Sequence, residues 1–303
     1  MHANSKLVLK APAFDLAFLD DASACSVAED GSYRPDPIIL CPGGGGSVKS
    51  GVKNQVQLLR QLDDLSCVYY KGYETDAPDA TGTGICTGVC SGTLIDGSKV
   101  IATLIDDKCL LSKVNCSSTF KKPIKSAASS ISTSKNKKPE YVSSRTPLPI
   151  SGLTFHEIAI FQADFAENNS VAGAKCCNIQ TMNSIICDGD SCTRTIQDLL
   201  VVGGEHGDVR LWNITPKFDD NDNDYDSNSN SSSSNNNSNN NNTGTSSGYD
   251  VRLHSTIKAH SGAVISVNFH PTRPWVCSAS KDGTCKIYET YATSTGTGTE
   301  ARC

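Results

Sequence analysis

Two stretches of this chain follow one order of residues. Leu199-Leu200-Val201-Val202-Gly203-Gly204-Glu205-His206-Gly207-Asp208-Val209-Arg210-Leu211-Trp212-Asn213 is an apolar run, a glycine-containing turn and a second apolar run. Trp275-Val276-Cys277-Ser278-Ala279-Ser280-Lys281-Asp282-Gly283-Thr284-Cys285-Lys286-Ile287-Tyr288-Glu289 repeats that order, with Gly283 to Glu289 in register with Gly207 to Asn213. A single hairpin of this kind cannot bury its apolar residues alone. Its recurrence therefore constrains the chain to stacked β units.

The second copy extends upstream through Ile257-Lys258-Ala259-His260-Ser261-Gly262-Ala263-Val264-Ile265-Ser266-Val267-Asn268-Phe269-His270-Pro271. With a His before the first strand, a Phe-His-Pro turn, a Ser-rich strand, an Asp-Gly hairpin and an aromatic-acidic pair, it closely resembles a WD repeat. The expected fold is an all-β, WD-repeat β-propeller over residues 1-303. In WD repeats the loop His, a strand Ser, the turn Asp and the strand Trp commonly form a hydrogen-bonded set. The resemblance places His260, Ser278 or Ser280, Asp282 and Tyr288 there, with Tyr for Trp, so His260 and Asp282 read as structural rather than as an acid-base pair. At four strands per blade the chain supplies about four blades, whereas closed propellers have up to eight. It is therefore expected to be incomplete at its C-terminus.

Elsewhere strands are read from apolar runs. Leu7, Leu9, Phe14, Leu16 and Phe18 partly alternate, with Pro12 marking a break. Ile38-Ile39-Leu40-Cys41 suits a buried inner strand, and residues 54-70 suit two strands turning near Asp63-Asp64. Residues 77-92, rich in Gly, Thr, Asp and Pro, read as connector. Val100 to Leu104 and Cys109 to Val114 read as a hairpin about Asp106-Asp107, and strands resume at Leu153 to Phe165 and Leu199 to Val202.

Two insertions, at about 115-147 and 219-248, are too poor in apolar residues to offset their ordering entropy and are expected to be disordered. The lysines of the first (Lys121, Lys122, Lys125, Lys135, Lys137, Lys138) suit a solvated loop or an anionic membrane surface. Asp220, Asp222 and Asp224 in the second do not make a calcium loop, because Tyr225 occupies the required Gly position and Ser231 the Glu position.

With 27 basic and 32 acidic residues the net charge is -5, which argues against a nucleic-acid partner. No run approaches a membrane span and no secretory leader is evident, so the chain reads as soluble and intracellular. The 14 cysteines include no CxxC pair and no Cys/His set at zinc spacing, and are expected to be free thiols.

One stretch is left over, Gly43-Gly44-Gly45-Gly46-Ser47-Val48-Lys49-Ser50-Gly51-Val52-Lys53-Asn54. Four glycines are the costliest residues to order, so their retention implies an unusual backbone path. A phosphate-cradling P-loop fails because Val48 precedes Lys49-Ser50. The dinucleotide fingerprint fails because Lys49 stands where the third glycine belongs. A flexible inter-blade connection remains open. Gly-Gly-Gly-Gly, four residues, Gly-Val-Lys-Asn and then Val-Gln-Leu-Leu also resembles the hallmark of the Sec-twelve / prolactin regulatory element-binding protein family.

That resemblance implies a seven-bladed cytosolic propeller anchored in the endoplasmic reticulum membrane by a C-terminal helix. It implies guanine nucleotide exchange on the small Sar GTPase, which starts COPII assembly for transport to the Golgi. The loop Gly43, Gly44, Gly45, Gly46, Gly51, Val52, Lys53 and Asn54 would contact the GTPase, and a potassium ion held by Gly46, Gly51 and Asn54 would order it. No catalytic residue is implied, since an exchange factor acts by binding. The alternative is a WD-repeat interaction scaffold with other partners, and no paired carboxylates or Ser/His/Asp set support an enzyme.

Overall fold

The computed structural model describes residue 9 and residues 12-19, 25-27, 33-35, 37-44, 52-61, 67-75, 84-116, 153-165, 173-188, 191-217 and 248-290. Gly45, Gly46, Gly51, the turn at Asp63-Asp64 and nearly all of both insertions lie outside them. Every element described is a strand. Among these residues no helix is long and apolar enough to cross a membrane.

The strands form four antiparallel sheets in chain order. Blade 1 is ordered β1 (Ala17–Leu19), β4 (Ile38–Gly43), β5 (Gln55–Gln61) and β6 (Cys67–Glu74), with the small ribbon β2 (Cys25–Val27) and β3 (Tyr33–Pro35) inserted after β1. Blade 2 comprises β7 (Cys86–Thr93), β8 (Lys99–Ile105), β9 (Lys108–Cys116) and β10 (Leu153–Gln162). Blade 3 comprises β11 (Ala174–Asp188), β12 (Ser191–Gly204), β13 (Asp208–Pro216) and β14 (Tyr249–Lys258). Blade 4 has β15 (Val264–Phe269), β16 (Trp275–Ser280) and β17 (Cys285–Glu289).

The arrangement is that of propeller blades, and the core lies between them rather than within any one. Leu19, Ile38, Leu40, Val56 and Leu58 of blade 1 meet Val89, Ile101 and Leu153 of blade 2. A second cluster joins Leu104, Leu111 and Phe161 of blade 2 to Ile179, Leu200 and Trp212 of blade 3, where the Phe161 and Trp212 rings lie 4.6 Å apart. A third joins Leu199, Val201 and Leu211 of blade 3 to Val264, Val267 and Phe269 of blade 4. Strand β8 shows why its sequence is apolar throughout. Its successive side chains alternate between faces, so Ile101 meets blade 1 while Val100, Ala102 and Leu104 meet blade 3.

First strands of adjacent blades are tied by side chains. Val89 N–H donates to Asp15 Oδ2 at 3.1 Å, the Ser91 hydroxyl donates to the Phe18 carbonyl, and Thr87 donates to the Ala174 carbonyl at 2.7 Å. Ile38 to Cys41 is largely buried and lies between β1 and β5, as expected of an inner strand. One expectation is corrected: residues 86-93 are a first strand, not connector. A methyl at Gly92 would lie 2.5 Å from Ile179 Cγ2, and one at Gly88 would lie 3.3 Å from the Lys175 carbonyl oxygen. The glycines that suggested a loop are there so that β11 can approach.

Candidate interaction site

The connections between second and third strands are equivalent from blade to blade. In blade 2 the connection is Asp106-Asp107, with Asp106 at φ 53, a left-handed conformation that Asp tolerates. In blade 3 it is Glu205-His206-Gly207 and in blade 4 Lys281 to Thr284. In blades 2 and 3 the backbone past the fourth strand returns to this turn. Asp164 N–H donates to the Asp107 carbonyl and His260 N–H to the Gly207 carbonyl, both at 3.0 Å. On the other side, Glu205 N–H donates to the Gly173 carbonyl and Lys281 N–H to the Ala263 carbonyl, both at 2.9 Å, which fixes each turn to its own first strand.

Blade 1 makes the same return bond, from Thr75 N–H to the Asn54 carbonyl at 3.2 Å. Residues 44-54 are therefore its second-to-third-strand connection, drawn out where the other blades turn tightly. The neck of this loop is close-packed. Gly43 ends β4 opposite Gln55, and a methyl there would lie 1.7 Å from the Pro12 carbonyl oxygen. A methyl at Gly44 would lie 2.1 Å from Asn54 Oδ1, and one at Gly84 2.7 Å from Asn54 Nδ2. The Asn54 amide thus occupies space that two glycines leave empty. Gly84 has φ +66, and its N–H donates to Asp106 Oδ2 at 2.7 Å, which links the neck to the blade 2 turn. Lys53, exposed, pairs with Glu74, and Val52 is half-buried. Gly43 and Gly44 are buried, so their part is to let the neck close.

The residue that returns to the turn also carries a polar side chain into the next blade, and it differs at each junction. At blade 4 it is His260, whose side chain is fully buried. Its Nε2 lies 2.8 Å from Ser278 Oγ, and its Nδ1 lies 3.1 Å from Asp282 Oδ2 and 2.9 Å from Thr284 Oγ1. The Thr284 hydroxyl, the Thr284 and Ser261 amides and the His260 ring hold the Asp282 carboxyl well below the usual carboxylate range. Tyr288 is buried beside this set, and its hydroxyl donates to the Ala259 carbonyl at 3.4 Å. Ser280 donates instead to the Gly262 carbonyl at 2.8 Å. His260 is bonded through both ring nitrogens to residues of blade 4, a geometry suited to holding strands rather than moving protons.

At blade 3 the corresponding group is Asp164, which pairs with Arg210 on β13, both almost wholly buried. Arg210 Nη2 also donates to Asp208 Oδ2 at 2.8 Å and to the Phe165 carbonyl at 2.6 Å, and its guanidinium lies 4.3 Å over the Phe165 ring. Burial lowers the Arg210 pKa, as expected for a charge withdrawn from water. At blade 2 the group is Thr75, 2.6 Å from Cys86 Sγ. Spacing in the sequence gave no sign of the Asp164–Arg210 pair. In the structure Asp164 stands where His260 stands one blade on. Cys41, Cys67, Cys86, Cys90, Cys109, Cys176, Cys177, Cys277 and Cys285 carry free thiols, and burial pushes Cys41 up to about 11 and Cys176 up to about 12. Among the described residues no cluster of His, Cys, Asp or Glu could hold a metal ion.

Comparison with known proteins bears first on blade 4. The profile of the WD domain, G-beta repeat, matches residues 251-289. No curated protein matches the chain in sequence. Among solved structures it is similar to Sqt1 from Chaetomium thermophilum, at 11% identity and TM-score 0.43, over 92% of this chain and 43% of that one. It is similar to the same organism's Sqt1 bound to the N-terminus of ribosomal protein L10, at 12% identity and TM-score 0.44, over 95% and 50%. Drosophila Plexin A in complex with Semaphorin 1b follows at 8% identity and TM-score 0.38, over 84% and 53%. The chain spans about half the length of these structures. It is an all-β array of four propeller blades, the last of which carries a WD repeat.

Proposed function

We propose that this array is a protein-protein interaction platform and that its specific task is guanine nucleotide exchange on a small Sar-type GTPase. One observation carries the reading: the blade 1 connection is elongated at the position where blades 2 to 4 turn tightly, above a neck built to hold it. A tight turn would suffice to join β4 and β5, so the extra residues serve something outside the blade.

Exchange by such a loop needs no acid, base or nucleophile. The loop binds nucleotide-free GTPase more tightly than nucleotide-bound GTPase, so nucleotide affinity falls by the same coupling factor. Val52 supplies an apolar contact and Lys53 a cationic one against segments that the nucleotide otherwise orders. Asn54, fixed between Gly44 and Gly84, sets the angle at which the loop leaves the propeller. The one described member of the proposed potassium set fits that role, since the Asn54 amide places a hard oxygen at the neck. A bound cation would offset the entropy of ordering the loop. The reading places the protein on the cytosolic face of the endoplasmic reticulum membrane, held by a helix beyond this chain, at the start of COPII vesicle formation.

The test is release of labelled GDP from a Sar GTPase, with the parent chain and with Val52→Ala plus Asn54→Ala. Release accelerated by the parent and lost in the double variant supports the reading. No acceleration by the parent overturns it, and full activity in the double variant removes the loop from the mechanism. A scaffold with other partners is the second reading, favoured by the generic turns of blades 2 to 4. It requires no response of GDP release to this protein.

A further inference from the structure

The first hairpin of blade 3 outruns its own sheet. β13 pairs with β12 only from Asp198 to Gly203, whereas β11 follows β12 from Gly204 out to Ser191. β11 and β12 are 15 and 14 residues long, against 8 and 7 for β7 and β8, the matching pair of blade 2. Past the Thr181–Asp198 pair, residues 182-188 and 191-197 therefore continue as a two-stranded arm. First-to-second-strand connections leave an antiparallel blade at the end opposite its second-to-third ones. The arm and the blade 1 loop thus lie at opposite ends of the blades.

The register of the arm sets two cysteines directly across from each other. Asp188 pairs with Ser191, with Gly189-Asp190 between them in sequence, and Cys187 pairs with Cys192 one step back. In a hairpin closed by two residues the last pair exchanges both backbone hydrogen bonds, so the pair behind it is non-hydrogen-bonded. Cα atoms of such a pair stand about 4.5 Å apart, within the span of about 4.4–6.8 Å that a disulfide bridges. Directly paired positions also share one face of the ribbon. No other two cysteines are partners in the described registers; Cys176 pairs with Gly203, Cys177 with Val202 and Cys277 with Ile287.

We propose that Cys187 and Cys192 are a modification site, a reversible dithiol–disulfide couple that staples the tip of the arm. The co-reactant is a small-molecule disulfide of the oxidised-glutathione class. One cysteine, as thiolate, attacks a sulfur of that disulfide, forms a mixed disulfide and expels the first small thiolate. The other, as thiolate, attacks the protein sulfur of the mixed disulfide, forms the Cys187–Cys192 bond and expels the second. The two protons lost by the cysteines end on the two small thiols. The protein pair is oxidised by two electrons and the small disulfide is reduced by two. A two-stranded ribbon is only marginally stable in water, so a covalent link at its tip changes how much of the arm is ordered. The couple departs from the expectation of free thiols at this pair alone, and it is independent of the exchange reading.

The experiment equilibrates the 303-residue chain in graded mixtures of reduced and oxidised glutathione, blocks the remaining thiols with iodoacetamide and maps residues 187-192 by fragment mass. Cys187 and Cys192 are expected to lose alkylation together, with two hydrogens missing from their peptide, and dithiothreitol is expected to restore both. In Cys187→Ser, Cys192 is expected to stay open to alkylation or to carry one glutathione. Full alkylation of both cysteines at every ratio, a pair that stops at mixed disulfides with glutathione, or unchanged protection of Cys192 in Cys187→Ser overturns the proposal. Should the variant fail to fold, the paired loss of alkylation in the parent still decides. Amide exchange across residues 182-197 is expected to slow several-fold on oxidation, and equal exchange in the two forms overturns the staple.

Discussion

Asp164 and Arg210 form an ion pair across the junction of blades 2 and 3, with side chains only 2% and 3% exposed. Removing one member breaks a buried pair, which typically costs about 3–5 kcal/mol, although Arg210 retains Asp208 when Asp164 is removed. Arg210→Met and Asp164→Leu are each expected to lower the unfolding free energy, read from urea titrations, by that order. The double variant, which leaves neither of the two charges, is expected to lose less than either single. Equal or additive losses would show that volume, not charge, governs the site.

The neck of the blade 1 loop gives a second test. Gly44→Ala forces a methyl against Asn54 Oδ1, and overpacking of this kind costs about 1–3 kcal/mol. Adding Asn54→Ala removes the obstacle and is expected to recover most of that loss. Gly43→Ala meets the Pro12 backbone instead, so Asn54→Ala should not relieve it. Denaturant midpoints of the four variants check both statements.

Acid sensitivity should report on Asp282. Its folded pKa is depressed, chiefly by the Thr284 hydroxyl, below an unfolded value of about 3.9. Its stabilising effect is therefore present above that value and disappears as pH falls through the folded one. Asp282→Asn is expected to unfold more easily than the parent at neutral pH, and the gap should narrow as the solution becomes strongly acidic. A gap independent of pH would place the effect in the hydrogen bonds alone.

Strand β7 yields a fourth. Gly92→Ala places a methyl 2.5 Å from Ile179 and should separate blades 2 and 3, at a cost of about 1–3 kcal/mol in thermal unfolding. Were residues 77-92 connector throughout, the same change would be close to neutral.

The all-β class and the hairpins about Asp106-Asp107 and Asp282-Gly283 were legible because apolar runs broken by turn residues have few other folds. Blade 4 was the clearest, since His260, Ser278 and Asp282 are recognisable side chains at recognisable offsets. The first strands were harder. Cys86 to Thr93 reads as loop by composition because its glycines answer to a neighbouring blade far away in sequence, and single-sequence reading sees only local pattern. The Asp164–Arg210 pair was hidden for the same reason: its members lie 46 residues apart, on different blades. The unusual glycine run was visible at once. That it is the lengthened second-to-third-strand connection of blade 1 emerged only from the return bond between Thr75 and Asn54.

That return bond has an evolutionary reading. Because Asn54 accepts the return bond with its backbone carbonyl, that attachment does not depend on which side chain stands there, and Gly43 and Gly44 close the neck beside it. Blades 2 and 3 receive the same bond at Asp107 and Gly207, so each offers an anchorage where an appendage can be grafted.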